Sequence, residues 1–426
     1  MLSPGPLAAE WRRHARNRFT NMQQLTGGHQ VQLLQGGQAF FPALIDAIDN
    51  STHEVRLETY IFNVTAAGAQ VAAALERAAQ RGVSVFLVMD GVGTPTLPPQ
   101  WCERFDRSGV QWRIFLPMGR LGGLIPSRWR RLHRKLCVVD GRVAFCGGLN
   151  VLDDFFDPNH GDLEAPRFDF AVRVTGPLVQ SMHEATVQFW WRFQAASTAR
   201  QIDFAAAWHA LQEAVAGATD GAWDTAQPHS VDSRRRVHAA LVLRDNVRNR
   251  TAIERSYRKA IGTATKEIII ANAYFFPGRK LRKALILAAQ RGVHVRLLLQ
   301  GRYEYFMQYH ATRPVYGALL AAGVEIHEYT LSFHHAKVAV IDGHWATVGS
   351  SNLDPLSLLL AREANVVVDD AAFAQDLRAR LVSAMTKDSV QVQAAAYANR
   401  PWRERFLNRV ALIVTHILLF LNGTRY

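Results

Sequence analysis

Two stretches of this chain, His133 to Asn150 and His335 to Asn352, set the same residues at the same offsets. From each His a Lys follows at two, an Asp at seven and a Gly at eight; a small pair opening with Gly starts at fourteen, and an Asn stands at seventeen. The residues between, Leu136 to Val139 and Val338 to Ile341, are apolar and largely β-branched, as in a strand buried on both faces. Alternation along a strand puts His133 and Lys135 on one face, and likewise His335 and Lys337. Asp140-Gly141 and Asp342-Gly343 read as hairpin turns into a following strand. The small pairs Gly147-Gly148 and Gly349-Ser350 let backbone approach whatever the His and Lys hold, and Asn150 and Asn352 each add an amide donor.

The duplication reaches beyond these stretches. An apolar strand at Val31 to Leu34 and a helical pattern at Phe40 to Ile48 open the first half. A strand at Val55 to Phe62, an Ala-rich helix near Ala67 to Gln80 and a strand at Val83 to Met89 follow. The order returns as a strand at Glu267 to Phe276, a helix near Lys280 to Gln290 and a strand at Val293 to Leu299. Even the words repeat, with Ala-Ala-Gln-Arg-Gly-Val at 78 to 83 and again at 288 to 293. Strand, helix, strand is the pattern of an α/β fold built on a helix-covered sheet, here made twice by tandem duplication. Two His-Lys pairs make chemical sense when the halves face each other across one cleft. Val187 to Phe193 and Phe204 to Val215 read as helices whose aromatic residues belong to a core. The division expected is a basic N-terminal segment (1–28), a first half (29–216), a linker (217–236), a second half (237–400) and a C-terminal segment (401–426).

Composition narrows the partners. The chain has 426 residues, 49% of them hydrophobic, ample for cored domains, and a formal charge of +13 that calls for an anionic partner. Three cysteines, Cys102, Cys137 and Cys146, are too few and too awkwardly spaced for a disulfide framework or a zinc site and read as reduced, buried thiols. The N-terminus has no apolar run of signal-peptide length before its charges, so a cleaved leader is not expected. Glu10 to Arg18 is basic and reads as a solvated face, or else as a helix touching a membrane.

The repeated pattern H-x-K-x4-D-x6-G-[GS]-x-N resembles the signature of the phospholipase D superfamily, and the resemblance covers nearly the whole chain. It implies two tandem phospholipase D-like α-β-α sandwich halves sharing one active-site cleft. A catalyst for phosphodiesters must neutralise charge, supply a nucleophile and protonate a leaving alkoxide. Two His and two Lys meet those needs with no metal or cofactor. One neutral imidazole attacks phosphorus to give a phosphohistidine, and the other donates a proton and later removes one. Lys135 and Lys337, with Asn150 and Asn352, would hold the non-bridging oxygens. On chemistry alone either imidazole can fill either role; the resemblance implies His133 as nucleophile and His335 as acid. His334 competes with His335, and the Lys at plus two decides for His335.

A nucleophilic His needs its other ring nitrogen held by an acceptor, which in this superfamily is an acid downstream of the motif. The corresponding residues are Asp169 for the first motif and Glu363 for the second. Otherwise each is a solvated carboxylate beside its neighbouring Arg. Asp140 and Asp342 belong to the signature and so join the catalytic set of His133, Lys135, His335 and Lys337, although each reads as holding its turn by hydrogen bonds.

Further strings resemble bacterial cardiolipin synthases of the B type: Leu-Glu-Thr-Tyr-Ile-Phe at 57 to 62, Ala-Asn-Ala-Tyr-Phe-Phe-Pro-Gly at 271 to 278, His-Trp-Ala-Thr-Val-Gly-Ser-Ser-Asn-Leu-Asp-Pro-Leu-Ser at 344 to 357, and Gly-Gly-Leu-Asn at 147 to 150. The resemblance implies a transferase that passes a phosphatidyl group to phosphatidylglycerol at the cytoplasmic face of the cell membrane. Other cardiolipin synthases of the superfamily begin with two membrane-spanning helices; the B type does not, and this chain matches it in that. Val410 to Leu421 is apolar but too short to span a bilayer. With Trp402, Arg403, Arg405 and Arg409 before it, it reads as an interfacial helix on an anionic membrane or one packed on the protein. Leu116 to Pro126, followed by Arg128-Trp-Arg-Arg131, is a second candidate for lifting a lipid head toward His133, or else a cover on the first half. A hydrolase or nuclease of the superfamily is the competing reading, since basic charge also suits DNA. The apolar segments have no use on DNA, so nucleic acid is the poorer partner. Intact motifs speak against a non-catalytic lipid-binding protein.

Overall fold

A computed structural model describes residues 24–119, 129–158, 160–200, 237–245, 249–302, 306–354, 361–403 and 406–410, the side chains of 195–200, 306–311 and 398 excepted. The expected helix at 204–215, the linker at 217–236, Glu10 to Arg18, most of the 116–126 loop and the apolar run beyond Val410 lie outside these residues.

The first half runs β1 (Thr26–Gln35), α1 (Gly36–Asp49), β2 (Glu54–Thr59), α2 (Ala66–Gln80), β3 (Ser84–Asp90), α3 (Pro99–Ser108), β4 (Gln111–Phe115), β5 (Arg131–Leu132), β6 (Lys135–Val139), β7 (Val143–Gly147), β8 (Phe156–Asp157), β9 (Gly161–Asp162), β10 (Phe170–Thr175) and α4 (Leu178–Arg200). The second runs β11 (Val237–Arg244), α5 (Ala252–Thr263), β12 (Glu267–Asn272), α6 (Arg279–Gln290), β13 (His294–Gln300), α7 (Phe306–Ala321), β14 (Glu325–Tyr329), β15 (Lys337–Ile341), β16 (Trp345–Gly349), β17 (Ala361–Asp369), α8 (Ala371–Lys387) and β18 (Ser389–Gln391).

The repeated hexapeptide has a local cause. In both copies the glycine, Gly82 or Gly292, takes a left-handed φ just past its helix. Its amide donates to the carbonyl of Ala79 or Ala289, and that of the next Val to Ala78 or Ala288, closing the helix and launching the strand. A Cβ is costly at that φ, which accounts for the glycine.

Strand order shows the duplication in space. Within the sheet, β4-β3-β2-β6-β7-β10-β1 is mirrored by β14-β13-β12-β15-β16-β17-β11, with β18 added outside β14. β2, β3 and β4 are parallel, as are β12, β13 and β14; the motif strands join antiparallel. The two half-sheets then meet edge to edge, β1 pairing antiparallel with β11 at Thr26↔Ala239 and His29↔Val237. This continuous sheet was not an expectation from sequence.

Alternation along the motif strands sorts their side chains into two layers. Cys137 and Val139 pack with Leu44, Leu75 and Phe105 of α1 to α3, while Ala339 and Ile341 pack with Ile261, Leu285 and Leu319 of α5 to α7. Leu136, Val138, Val338 and Val340 all enter one cluster shared by both halves, with Met182 of α4 and Leu377 of α8. Each fully buried Val or Leu contributes about 1.5–3 kcal/mol, so the shared layer binds the halves firmly. Cys137 and Cys146 are buried and Cys102 partly so, all unpaired.

Two strands end earlier than their apolar pattern predicts. β2 stops at Thr59, whose hydroxyl donates to the Ile61 carbonyl, and the Ile61 amide donates to Asn150 Oδ1 at 3.1 Å. β12 stops at Asn272, whose Oδ1 accepts the Leu353 amide at 3.0 Å. Both half-sheets thus pin the loop leaving the motif at the end where the His and Lys stand.

Candidate active site

His133 and His335 each lie just ahead of a motif strand, held by the other half. β5 pairs in parallel with the start of β17, and the His133 amide donates to the Arg362 carbonyl at 3.0 Å. That contact sets His133 against the next residue: its Nδ1 lies 3.0 Å from Oε1 of Glu363. On the other side the His335 amide donates to the Phe168 carbonyl at 2.9 Å, and its Nδ1 lies 2.7 Å from Oδ2 of Asp169. The expected pairing, each His with the acid downstream in its own half, is therefore corrected. The carboxylates are exchanged, because each motif begins on the acid-bearing strand of the opposite half.

Neither acid is solvated: Asp169 is 1% exposed and Glu363 is fully buried. With Nδ1 engaged, Nε2 is the free nitrogen of each imidazole. Lys135 and Lys337 are buried, and each ammonium donates to the carbonyl of the His two residues back, Lys135 at 2.7 Å.

The small pairs serve the acids as well as the backbone. A Cβ on Gly148 would sit 2.2 Å from Asp169 Oδ1, so glycine makes room for that carboxylate. At the matching position of the second half, Ser350 Oγ instead donates to Glu363 Oε2 at 2.5 Å and accepts the Ala364 amide at 3.1 Å. Glu363, longer by one methylene, thus gains a partner that Asp169 lacks. The first-half Asn is used locally, its Oδ1 taking the Ile61 amide. Asn352 Oδ1 is buried with no hydrogen-bond partner among the described residues.

Asp140 and Asp342 stand at the far ends of β6 and β15, away from the imidazoles. Asp140 accepts the amides of Thr52, His53 and Glu54, each at 2.8 Å, and the Thr52 hydroxyl at 3.0 Å. Asp342 does the same for Thr265, Lys266 and Glu267. Rather than holding only their own turns, they tie the motif hairpin to the start of β2 or β12. Burial raises each carboxyl, and these donors more than reverse it, leaving both below the usual range.

His334 points away from this chemistry. Its ring lies among Phe168 and Tyr329, buried, with burial pushing its pKa down to about 3. Sequence reasoning assigned no role to Tyr60, whose ring lies 4.9 Å from the His133 ring and 5.4 Å from the Lys135 ammonium. Its second-half counterpart is Ala273, an asymmetry visible in the sequence only once the halves are superposed strand by strand.

Charge and burial set the protonation states. Burial, then the nearby Lys135 charge, lowers His133 although Glu363 opposes it; burial, then Lys337 and Lys135, lowers His335 further. Burial brings Lys135 down to about 7 and raises Asp169 to about 6. Glu363 is below its ordinary value, since His133 and Lys135 outweigh the burial that raises it. With both lowered, the imidazoles are neutral near pH 7, and the lysine charges beside them repel an added proton. An anion seated between the lysines would cancel that repulsion and let His335 take a proton. Among the described residues no group of His, Cys, Asp and Glu has the arrangement of a metal site.

The sequence matches the family described as cardiolipin synthase, PLD-like domain, twice, at residues 44–163 and 257–385, one match per half. It is 38% identical over 380 residues to cardiolipin synthase B of Salmonella typhi, covering 88% of this chain and 85% of that one. It is 29% identical over 407 residues to cardiolipin synthase of Listeria monocytogenes serotype 4a (strain HCC23), covering 92% and 76%. The fold is shared with the crystal structure of phosphatidylserine synthase from Haemophilus influenzae Rd KW20, with a TM-score of 0.65 at 12% identity over 95% of this chain and 98% of that one. With one family match on each motif-bearing half, and a relative of that name alike along most of its length, the chain belongs to the phospholipase D-like cardiolipin synthase family.

Proposed function

We propose that this protein is a phosphatidyltransferase that makes cardiolipin, moving a phosphatidyl group onto a headgroup hydroxyl of phosphatidylglycerol through a phosphohistidine. The observation that supports it most is the crossed pair of imidazole-carboxylate couples, His133 with Glu363 and His335 with Asp169, beside two buried ammonium groups.

The donor phosphodiester sits between Lys135 and Lys337, with the Asn150 and Asn352 amides on its non-bridging oxygens. His133 Nε2 attacks phosphorus, the bond to the headgroup oxygen breaks, and His335 Nε2–H protonates the departing alcohol. Glycerol leaves when the donor is phosphatidylglycerol. His335, now neutral, takes the proton of an incoming phosphatidylglycerol hydroxyl; its oxygen attacks phosphorus, the phosphorus–nitrogen bond breaks, and His133 is regenerated. Asp169 and Glu363 hold both rings and stabilise each imidazolium in turn.

The protein works from the cytoplasmic face of the cell membrane as a peripheral enzyme. No helix among the described residues is long and apolar enough to cross a bilayer. Trp402, Phe406, Leu407 and Val410 are exposed beside Arg403 and Arg409, an apolar and basic mixture suited to anionic headgroups. The chain is organised as an N-terminal basic segment, whose expected end at 28 moves back to the start of β1 at Thr26, two catalytic halves (to 216, and 237–400) joined by a linker (217–236), and a membrane-contact segment (401–426).

Purified protein incubated with phosphatidylglycerol vesicles tests the reading. Cardiolipin and free glycerol should appear in equal amounts, and His133→Ala and His335→Ala should each lower the rate about 10²-fold or more. Phosphatidic acid as the sole lipid product would make the protein a hydrolase, and DNA cleavage without lipid turnover would make it a nuclease.

A further inference from the structure

The two halves differ most between motif and acid. Thirty-six positions separate His133 from Asp169 but only twenty-eight separate His335 from Glu363, so the first half carries eight more residues there. These include the hairpin of β8 and β9, paired at Phe156↔Asp162 and Asp157↔Gly161. Arg167, two residues before Asp169, is its hub. One arm of the guanidinium donates to the Asp153 carbonyl at 2.9 Å, the other to the Phe156 carbonyl and to Asp157 Oδ2, the last at 2.9 Å. In the second half the residue two before the acid is Ala361, so no arginine stands at the matching place.

The hairpin belongs to the first half but reaches the second. His160, bonded to Asp157 at 3.0 Å, lays its ring 4.9 Å from that of Phe333. Ser332 Oγ donates to the Ala165 carbonyl at 2.7 Å, and the Phe168 amide to the Phe333 carbonyl at 3.0 Å. Phe333 stands two residues ahead of His335, and Arg167 is among the charges that bear on that imidazole. The hairpin therefore packs beside His335, the histidine assigned above to activate the second nucleophile.

We propose that the Arg167-clamped hairpin sets the choice of acceptor, shielding the His335 side of the cleft so that a lipid-borne hydroxyl, not water, attacks the phosphohistidine. This rests on the transferase reading. The two competing steps differ only in the oxygen: alcohol or water forms the new phosphorus–oxygen bond, its proton goes to His335 Nε2, and the bond to His133 Nε2 breaks. The products are cardiolipin in one case and phosphatidic acid in the other. An ordered cover that excludes bulk water is a physical means of suppressing hydrolysis of a reactive intermediate. Arg167 is a positioning residue: it acts through the hairpin it fixes. Lys cannot replace it, because one ammonium cannot span the same three acceptors in fork geometry.

The test is the ratio of phosphatidic acid to cardiolipin formed from phosphatidylglycerol vesicles by wild type, Arg167→Ala, Arg167→Lys and His160→Ala, with thermal melts to confirm folding. Arg167→Ala should raise the ratio about tenfold, Arg167→Lys should fail to restore it, and His160→Ala, which leaves the clamp in place, should raise it less. An unchanged ratio in folded Arg167→Ala overturns the proposal, as does a proportional fall in both products, the mark of a merely structural role. Wild-type protein giving no lipid product at all would overturn the transferase reading and this inference with it.

Discussion

At 3.0 Å from Glu363 and 2.7 Å from Asp169, the Nδ1 atoms of His133 and His335 are committed, and each ring can offer only Nε2 to a substrate. Glu363→Gln and Asp169→Asn should each lower kcat about 10²-fold with little change in KM, since an amide can hold the wrong tautomer but cannot stabilise an imidazolium. Steady-state kinetics on phosphatidylglycerol checks this; a variant that loses only affinity would contradict it. A second expectation follows from Lys135, which burial brings to about 7. The group is charged below that value and neutral above it, so an oxyanion should bind best in mild acid and more weakly as pH rises through 7. Sulfate, whose own charge is constant there, should lose about tenfold in affinity between pH 6 and pH 8.5 by titration calorimetry, and Lys135→Met should flatten the profile. At this scale the sequence pointed to the His, Lys and acidic residues that the structure brings together, because chemistry fixes residue type. It misassigned which acid serves which His. That pairing depends on a two-residue strand, Arg131–Leu132, and on backbone contacts at Phe168, which carry no residue-type signal.

Among the elements, the motif hairpin is the best specified by its sequence. Asp140 and Asp342 have positive φ, as do the glycines after them, and the apolar runs on either side pair as predicted, Val139↔Val143 and Ile341↔Trp345. What the signature does not tell is that its aspartates face away from the reaction. Asp140→Ala removes four hydrogen bonds to a carboxylate at the start of β2 and should cost about 2–4 kcal/mol of stability, read as a lower denaturation midpoint at unchanged slope. A variant as stable as wild type yet devoid of transfer activity would return Asp140 to the catalytic set. The hairpin of β8 and β9 was not legible, since strands of two residues leave no periodicity to read. Only the unequal spacing of the two acids hints at it, once the halves are aligned.

For the whole molecule, duplication, α/β class and a site shared by the halves followed from matched offsets and repeated words. The joining of the half-sheets through β1 and β11 did not, because backbone pairing between strands some two hundred residues apart imposes no particular side chain. That joint and the shared apolar layer hold two half-sites in one register, so that two equivalent motifs can divide unequal labour. Tyr60, Ser350 and Arg167 are matched by Ala273, Gly148 and Ala361 at the corresponding places of the other half, and these differences give the two imidazoles different surroundings. The account assigns covalent chemistry to His133 and proton transfer to His335, and a donor lipid with a p-nitrophenyl headgroup separates the roles. Nitrophenolate leaves without a proton, so His335→Ala should still release a burst of one equivalent and, quenched in alkaline denaturant, carry the phosphatidyl group on His133 by peptide mass spectrometry. A burst from His133→Ala instead, with the adduct on His335, or cardiolipin formed with no adduct on either histidine, would contradict it.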